Sequence, residues 1–378
     1  MQEREKTKVV LVIAESGLGG GPSHVLGLLR HLDQSKFRLF LICPKGDLAE
    51  EAKKSGGVTV VNLSMRSKFD WQAGLRLREE IRKIQALDDP FGPMVVHSHG
   101  TRAGLFCALY PARDGVRFVY TEHRWNSDYR LKNPLNNWLQ KIFLVKIYRQ
   151  QDLIIGVSRS VRDFVVGNGI SPEKVKIVPN AIEEEQGTRN KVQIKKVREA
   201  NRAPVIGTIG NLNFQKGQSY LIDAMAEVVR QYPLATLEII GEGAERQNHE
   251  SRIKNHGLEK NIALMGKQKD VYKHMNHWDL FVLPSVAETF GIVLLEAMSA
   301  GLPIIATKIG GVVDIVENGK TAILVKAKDP SALAKAITRL LSDSAKMAAL
   351  KRAGSQRVKD FAWDKIVLRI EEVYLSKS

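Results

Sequence analysis

The chain has 378 residues, 44% hydrophobic and 26% charged, the balance of a folded globular protein, and it carries no low-complexity tract. That length is large for one compact core and implies two domains of roughly 200 residues or fewer. Net charge is +16 with a pI near 9.7, so an acidic partner is expected, but the excess divides evenly between the two halves, which argues against a nucleic-acid-binding tail.

The N-terminus mixes charges of both signs through Lys6 and leads into only a short apolar run, residues 9–14, which reads as a first strand and not as a signal peptide or membrane span. Further β-branched runs at 37–43, 58–63, 95–97, 117–120 and 153–157 alternate with amphipathic segments, the pattern of a parallel, doubly wound sheet. After Pro179-Asn180-Ala181-Ile182, the charged stretch 189–202 lacks an apolar period and reads as a linker or solvated helix. Strands resume at 205–209, 236–240, 262–265, 280–283, 303–307 and 322–325, so two similar α/β halves with a cleft are expected. The segment 361–375 is amphipathic through Trp363, Ile366, Val367, Ile370 and Val373-Tyr374. Cys43 and Cys107 lie in apolar runs, which suits buried thiols in a reducing, cytoplasmic compartment.

Candidate chemistry follows the strand ends. Gly17-Leu18-Gly19-Gly20-Gly21-Pro22 opens a helix and suits a phosphate-cradling loop. It fails as a dinucleotide fingerprint, because Pro22 stands where the third glycine belongs. His97-Ser98-His99 and Thr121-Glu122-His123 end two strands and point toward the crevice of such a sheet; zinc is disfavoured there, since no third ligand has suitable spacing. Between Arg124 and Arg149, basic residues including Lys141 and Lys146 interleave with Trp125, Trp138 and Phe143, suited either to an anionic membrane surface or to a core-packed helix with a basic outer face. In the second half, 210–217 places Asn211 and Lys216 in one strand-end loop, and Gly241-Glu242-Gly243 and Gly266-Lys267 in two others. Finally Glu288-Thr289-Phe290-Gly291 precedes a helix expected to begin near Thr289 or Phe290, with Glu296 about 10 Å further along the axis. Such a helix start suits an anionic group, and Glu296 suits a ribose diol. Asp-x-Asp occurs nowhere.

Glu288-Thr289-Phe290-Gly291 through Glu296, followed by Ala297, Gly301, Pro303 and Gly310-Gly311, resembles the E-x7-E signature of the retaining glycosyltransferases of family 4, and the similarity extends over nearly the whole chain. The resemblance implies an α/β GT-B fold: two doubly wound Rossmann-like domains facing each other across a cleft. An acceptor-side domain would occupy 1–185, a nucleotide-sugar donor domain 203–360, and a terminal helix at 361–378 would cross back onto the first.

It further implies metal-independent, cofactor-free, retaining transfer of a hexose or N-acetylhexosamine. The donor would be a nucleotide sugar, with UDP the expected carrier, and the acceptor a hydroxyl of a lipid-linked or cell-surface glycan. The protein would then be cytoplasmic, at the inner face of a membrane, with no nucleic-acid partner. By the same resemblance Gly19 and Gly20 face the donor, and His123 lies beside the sugar. Lys216 neutralises the diphosphate, Asn211 standing where the family has a second basic residue. Gly266 and Lys267 approach the base, Glu288 orients the sugar, Thr289, Phe290 and Gly291 stabilise the diphosphate, and Glu296 takes the ribose. His99, Arg124, Lys141 and Lys146 would be on the acceptor or membrane side. The competing readings are a nucleotide-sugar epimerase on the same fold, a dehydrogenase using the glycine loop, and a non-catalytic basic protein binding membrane or nucleic acid.

Overall fold

The computed structural model describes residues 6–17, 19–87, 93–109, 115–129, 134–183 and 203–376. It divides into two compact units, one formed by Met1–Ala181 with Trp363–Ser378, the other by Ile182–Ala362. The charged stretch 189–202 lies outside the described residues.

The first unit is built on strands β1 (Thr7–Ile13), β2 (Phe37–Cys43), β3 (Val58–Asn62), β4 (Met94–His99), β5 (Val116–Glu122), β6 (Leu153–Gly156) and β7 (Val175–Ile177). They pair in parallel in the order β3-β2-β1-β4-β5-β6-β7. Every residue of β1 is buried, as expected of a central parallel strand covered on both faces. Its alternate side chains serve two cores. Val9, Leu11 and Ile13 pack with the helix Gly20–His31, whereas Val10 and Val12 pack with the helix Trp71–Gln85.

The helix Trp363–Leu375 completes the first of these cores through Trp363, Ile366, Val367, Ile370, Val373 and Tyr374. It therefore belongs to the first unit although the chain reaches it only after the second. Gly27 makes the approach possible, for a Cβ there would lie 1.9 Å from Trp363 Cζ2. Polar anchors fix the helix along its length: the buried Glu371 accepts from the Asp33 amide at 3.0 Å and from Lys36 Nζ at 2.9 Å, and Arg117 donates to the Val373 carbonyl at 3.1 Å.

The second unit repeats the design with β8 (Val205–Ile209), β9 (Thr236–Ile240), β10 (Ile262–Gly266), β11 (Leu280–Leu283), β12 (Ile304–Thr307) and β13 (Ile323–Val325). Their order is β10-β9-β8-β11-β12-β13, again parallel. Each sheet thus reverses its winding once, between β1 and β4 and between β8 and β11. Ligands of doubly wound sheets bind at the carboxyl ends of strands flanking that reversal. No helix among the described residues is long and apolar enough to cross a membrane.

Candidate active site

At the second reversal, β8 runs into residues 210–213, a tight turn Phe214–Lys216, and the helix Gln218–Gln231. Gly217 (φ +64°) joins turn to helix so tightly that a Cβ would lie 2.2 Å from the Pro284 carbonyl oxygen, just past β11. The Gln215 carbonyl accepts from the Val286 amide at 2.7 Å and the Ala287 amide at 3.2 Å. These contacts clamp the loop after β8 to the loop after β11. Lys216 Nζ consequently reaches Glu288 Oε2 at 2.5 Å, with a quarter of the lysine side chain and a tenth of the glutamate still exposed.

Residues 288–290 are held from the other side by the Gly310-Gly311 pair. The Gly311 amide donates to the Glu288 carbonyl at 3.0 Å, and a Cβ on Gly311 would lie 2.0 Å from the Thr289 carbonyl oxygen. The helix that follows is Ile292–Ser299, with Gly291 (φ +91°) as its N-cap, so it begins later than the expected start near Thr289 or Phe290. A left-handed glycine breaks the helical backbone, leaving Thr289 and Phe290 in the loop. Glu296 is therefore only about one turn in, roughly 6 Å from the first helical residue. The amides of Ile292 and Val293 lie in the first turn, where a helix provides them no acceptor. Phe290 turns its ring into the core, 5.9 Å from Phe361, and so offers a ligand only its backbone. Half-buried Glu296 has its carboxyl pushed up to about 7 by burial.

The neighbouring strand ends close around this loop. Leu212 donates its amide to the Glu242 carbonyl at 2.9 Å, and Gly241 donates to Gly266 at 2.9 Å. Asn211 and Lys267 project to the exposed rim.

The first reversal gathers histidines. Gly19 caps the helix Gly20–His31, and nothing lies within 4 Å of a Cβ placed on Gly19 or Gly20, so the loop backbone is open to a ligand. His24 comes from that helix, His99 ends β4, and His123 follows β5. One ring nitrogen from each lies within 4.8 Å of the others, and His99 Nδ1 is 3.2 Å from His123 Nε2. The fold thus supplies the third imidazole that sequence spacing did not offer: the pairing of β1 with β4 brings residues 24 and 99 together. His97 is a structural imidazole, bonded at both nitrogens, to the Tyr374 hydroxyl and to Thr121 Oγ1, each at 2.6 Å. Burial drives these rings toward the neutral form: His123 falls to about 4, His97 to about 3, and His24 and His99 well below the ordinary range with neighbouring imidazoles adding to the effect.

The His123 loop rests on Glu122, whose place in Thr121-Glu122-His123 gives no sign of this role in the sequence. Its buried carboxylate accepts from the Arg124 amide (2.8 Å), the Trp125 amide (3.0 Å), the Tyr148 hydroxyl (2.8 Å) and the Tyr120 hydroxyl (3.2 Å). Burial raises its pKa despite these donors. Nearby, Lys68 is lowered by desolvation and by the charges of Arg102 and Arg124, marking a basic group of three. On the helix Pro134–Arg149, Leu144, Ile147 and Tyr148 are buried while Trp138, Leu139 and Ile142 are exposed beside Lys141 and Lys146.

Two family models match the chain: Glycosyltransferase Family 4 over residues 18–186 and Glycosyl transferases group 1 over residues 190–357. The N-acetyl-alpha-D-glucosaminyl L-malate synthase of Bacillus anthracis is 30% identical over 290 residues, 74% of this chain and 74% of that protein. The chain belongs to glycosyltransferase family 4. This family 4 glycosyltransferase is also 27% identical to the D-inositol 3-phosphate glycosyltransferase of Corynebacterium urealyticum over 307 residues, 75% of this chain and 71% of that one. Among solved structures, Anabaena HepE in complex with UDP-glucose superposes with a TM-score of 0.79 at 20% identity, covering 97% of this chain and 98% of that chain. The sucrose-phosphate synthase of Thermosynechococcus elongatus gives 0.79 at 20% identity over 98% of both chains. These likenesses establish the GT-B fold of two Rossmann-like domains.

Proposed function

We propose that the protein transfers a hexose or N-acetylhexosamine from a nucleotide sugar, with UDP as carrier, to a hydroxyl of a lipid-linked or cell-surface glycan, retaining the anomeric configuration and without a metal at the diphosphate. The observation that carries this reading is the Lys216–Glu288 pair, set beside the start of the helix Ile292–Ser299 at the reversal of the second sheet. Lys216 and the Ile292 and Val293 amides stabilise the departing diphosphate, work that a metal held by Asp-x-Asp would otherwise perform. Glu288 orients the sugar, and Glu296, once ionised, accepts from the ribose diol. His123 acts at the sugar.

In the transfer the bond from the anomeric carbon to the phosphate oxygen breaks and a bond to the acceptor oxygen forms on the same face. The acceptor proton passes to the leaving phosphate. The HepE complex with UDP-glucose supports the choice of carrier. On the acceptor side, the basic group Lys68, Arg102 and Arg124 suits an acceptor bearing a negative charge near its hydroxyl, such as a lipid phosphate. The exposed Trp138, Leu139 and Ile142 beside Lys141 and Lys146 suit an anionic membrane surface.

Thermal stabilisation by UDP, GDP and ADP, each with and without magnesium, tests the donor site, because a ligand bound only by the native state raises the melting temperature. A shift with UDP that survives metal removal is expected; the absence of a shift with every nucleoside diphosphate overturns the reading. Proton NMR of the glycoside formed from a UDP-sugar then reports retention or inversion directly.

A further inference from the structure

We infer that His24, His99 and His123 form a binding site for one divalent transition-metal ion of the zinc class. The three imidazoles come from three different elements of the first unit and converge at the reversal of its sheet, with one nitrogen of each within 4.8 Å of the others. The 3.2 Å between His99 Nδ1 and His123 Nε2 already matches the separation of about 3.3 Å between two nitrogens bound to a tetrahedral zinc at roughly 2.0 Å each.

A second observation is independent of that spacing. His24 is 5% exposed and His99 1% exposed, yet neither ring nitrogen of His24 and not Nε2 of His99 makes a hydrogen bond. Buried polar atoms rarely go unpartnered, because leaving them so costs free energy that a ligand can recover. A metal ion recovers it at one nitrogen of His24 with no loss of the surrounding packing, since His97 is already fixed by Tyr374 and Thr121 and stands as a support beside His99. On binding, the proton shared between His99 Nδ1 and His123 Nε2 moves to the far nitrogen of its ring, freeing both lone pairs for the ion. Three imidazoles leave a fourth coordination position for water or an anion.

A second carboxylate and histidine group, Glu238 with His274 and His277, differs in kind. There the carboxylate already accepts from both rings, at 3.1 Å and 2.8 Å, and from Trp278 at 2.9 Å, so its polar atoms have partners without an ion.

Under the function proposed above, an ion on His123 withdraws that ring from the sugar, so the metal-loaded protein is an inhibited form. This consequence rests on that reading, whereas the site itself does not. The test is therefore a binding measurement on the full chain after chelator treatment: titration with Co2+ read by its visible absorption, then displacement by Zn2+ read by calorimetry. One equivalent with the intense bands of tetrahedral nitrogen coordination is expected. His24→Leu, which removes a ligand and replaces unpartnered nitrogens by a side chain of similar bulk, should weaken binding by more than about a hundredfold, beyond the usual effect of losing an outer-shell partner, while leaving the fold intact by circular dichroism. The double variant His274→Ala/His277→Ala should bind as the parent does. Absence of a bound equivalent in the parent, or binding untouched by His24→Leu, overturns the site. Binding without inhibition of transfer keeps the site and removes only its effect on His123.

Discussion

Gly27→Ala sets two effects of opposite sign against each other. Gly27 lies inside the helix Gly20–His31, where alanine is favoured over glycine by about 1 kcal/mol. The new methyl, however, would stand 1.9 Å from Trp363 Cζ2 and 2.3 Å from Cε2. With ordinary carbon contacts near 3.5 Å, ring or helix must retreat by roughly 1.6 Å. The indole has nowhere to go: His31 stacks on it at 5.2 Å between centroids, His24 lies at 5.5 Å, and the ring is buried in the core. Overpacking of this kind costs about 1–3 kcal/mol, so the net expectation is a destabilisation of up to about 2 kcal/mol, or a fall of up to roughly 8 °C in the transition of the first unit. Scanning calorimetry measures it. In a Trp363→Leu background the clash disappears, and the same substitution should become stabilising by about 1 kcal/mol. A rise in melting temperature for Gly27→Ala with Trp363 in place would refute the packing argument and leave helix propensity as the governing term.

Lys216→Met should lower kcat by about 10²–10³, the usual loss when one group facing developing charge is removed, with little change in melting temperature; steady-state kinetics on the UDP-sugar checks it. Glu296 has a folded-state pKa of about 7 against an ordinary 4.5, so the native state holds the proton more tightly than the unfolded chain. Its contribution to stability is full below about pH 4.5 and is lost as pH rises toward 7, by about 3 kcal/mol in all. Glu296→Gln should flatten that decline in urea unfolding across pH 5–8, and an unchanged slope would reject the assignment. Glu122→Ala strands two amides and two tyrosine hydroxyls and should cost about 3–5 kcal/mol, with hydrogen exchange at Arg124 and Trp125 accelerating before the rest of the unit opens.

The repeated strand and helix pattern was legible in the sequence because the strands are mostly β-branched and other apolar residues in short runs separated by amphipathic segments; β2, β8, β9 and β11 fall on the expected residues. β7 escapes notice because it is three residues long with the exposed Lys176 at its centre. The pairing of Lys216 with Glu288 follows from neither residue's local pattern, since it depends on Gly217 fitting beneath Pro284 across the β8–β11 reversal. The helix after Gly291 starts later than expected because a positive φ at the glycine outweighs the helical character of the residues before it. His24 was hidden for another reason. Read along the chain it is one polar residue in an amphipathic helix, and only the β1–β4 pairing places it beside His99 and His123.

The first unit takes its core from two stretches of chain separated by the whole of the second. During synthesis, Ile182–Ala362 emerges as one continuous segment and can complete its own core while Val9, Leu11, Val25 and Leu29 still lack the cover that Trp363, Ile366 and Ile370 will bring. The unit begun first is therefore finished last, and for that interval its uncovered apolar face is the part of the nascent protein that a chaperone would need to shield.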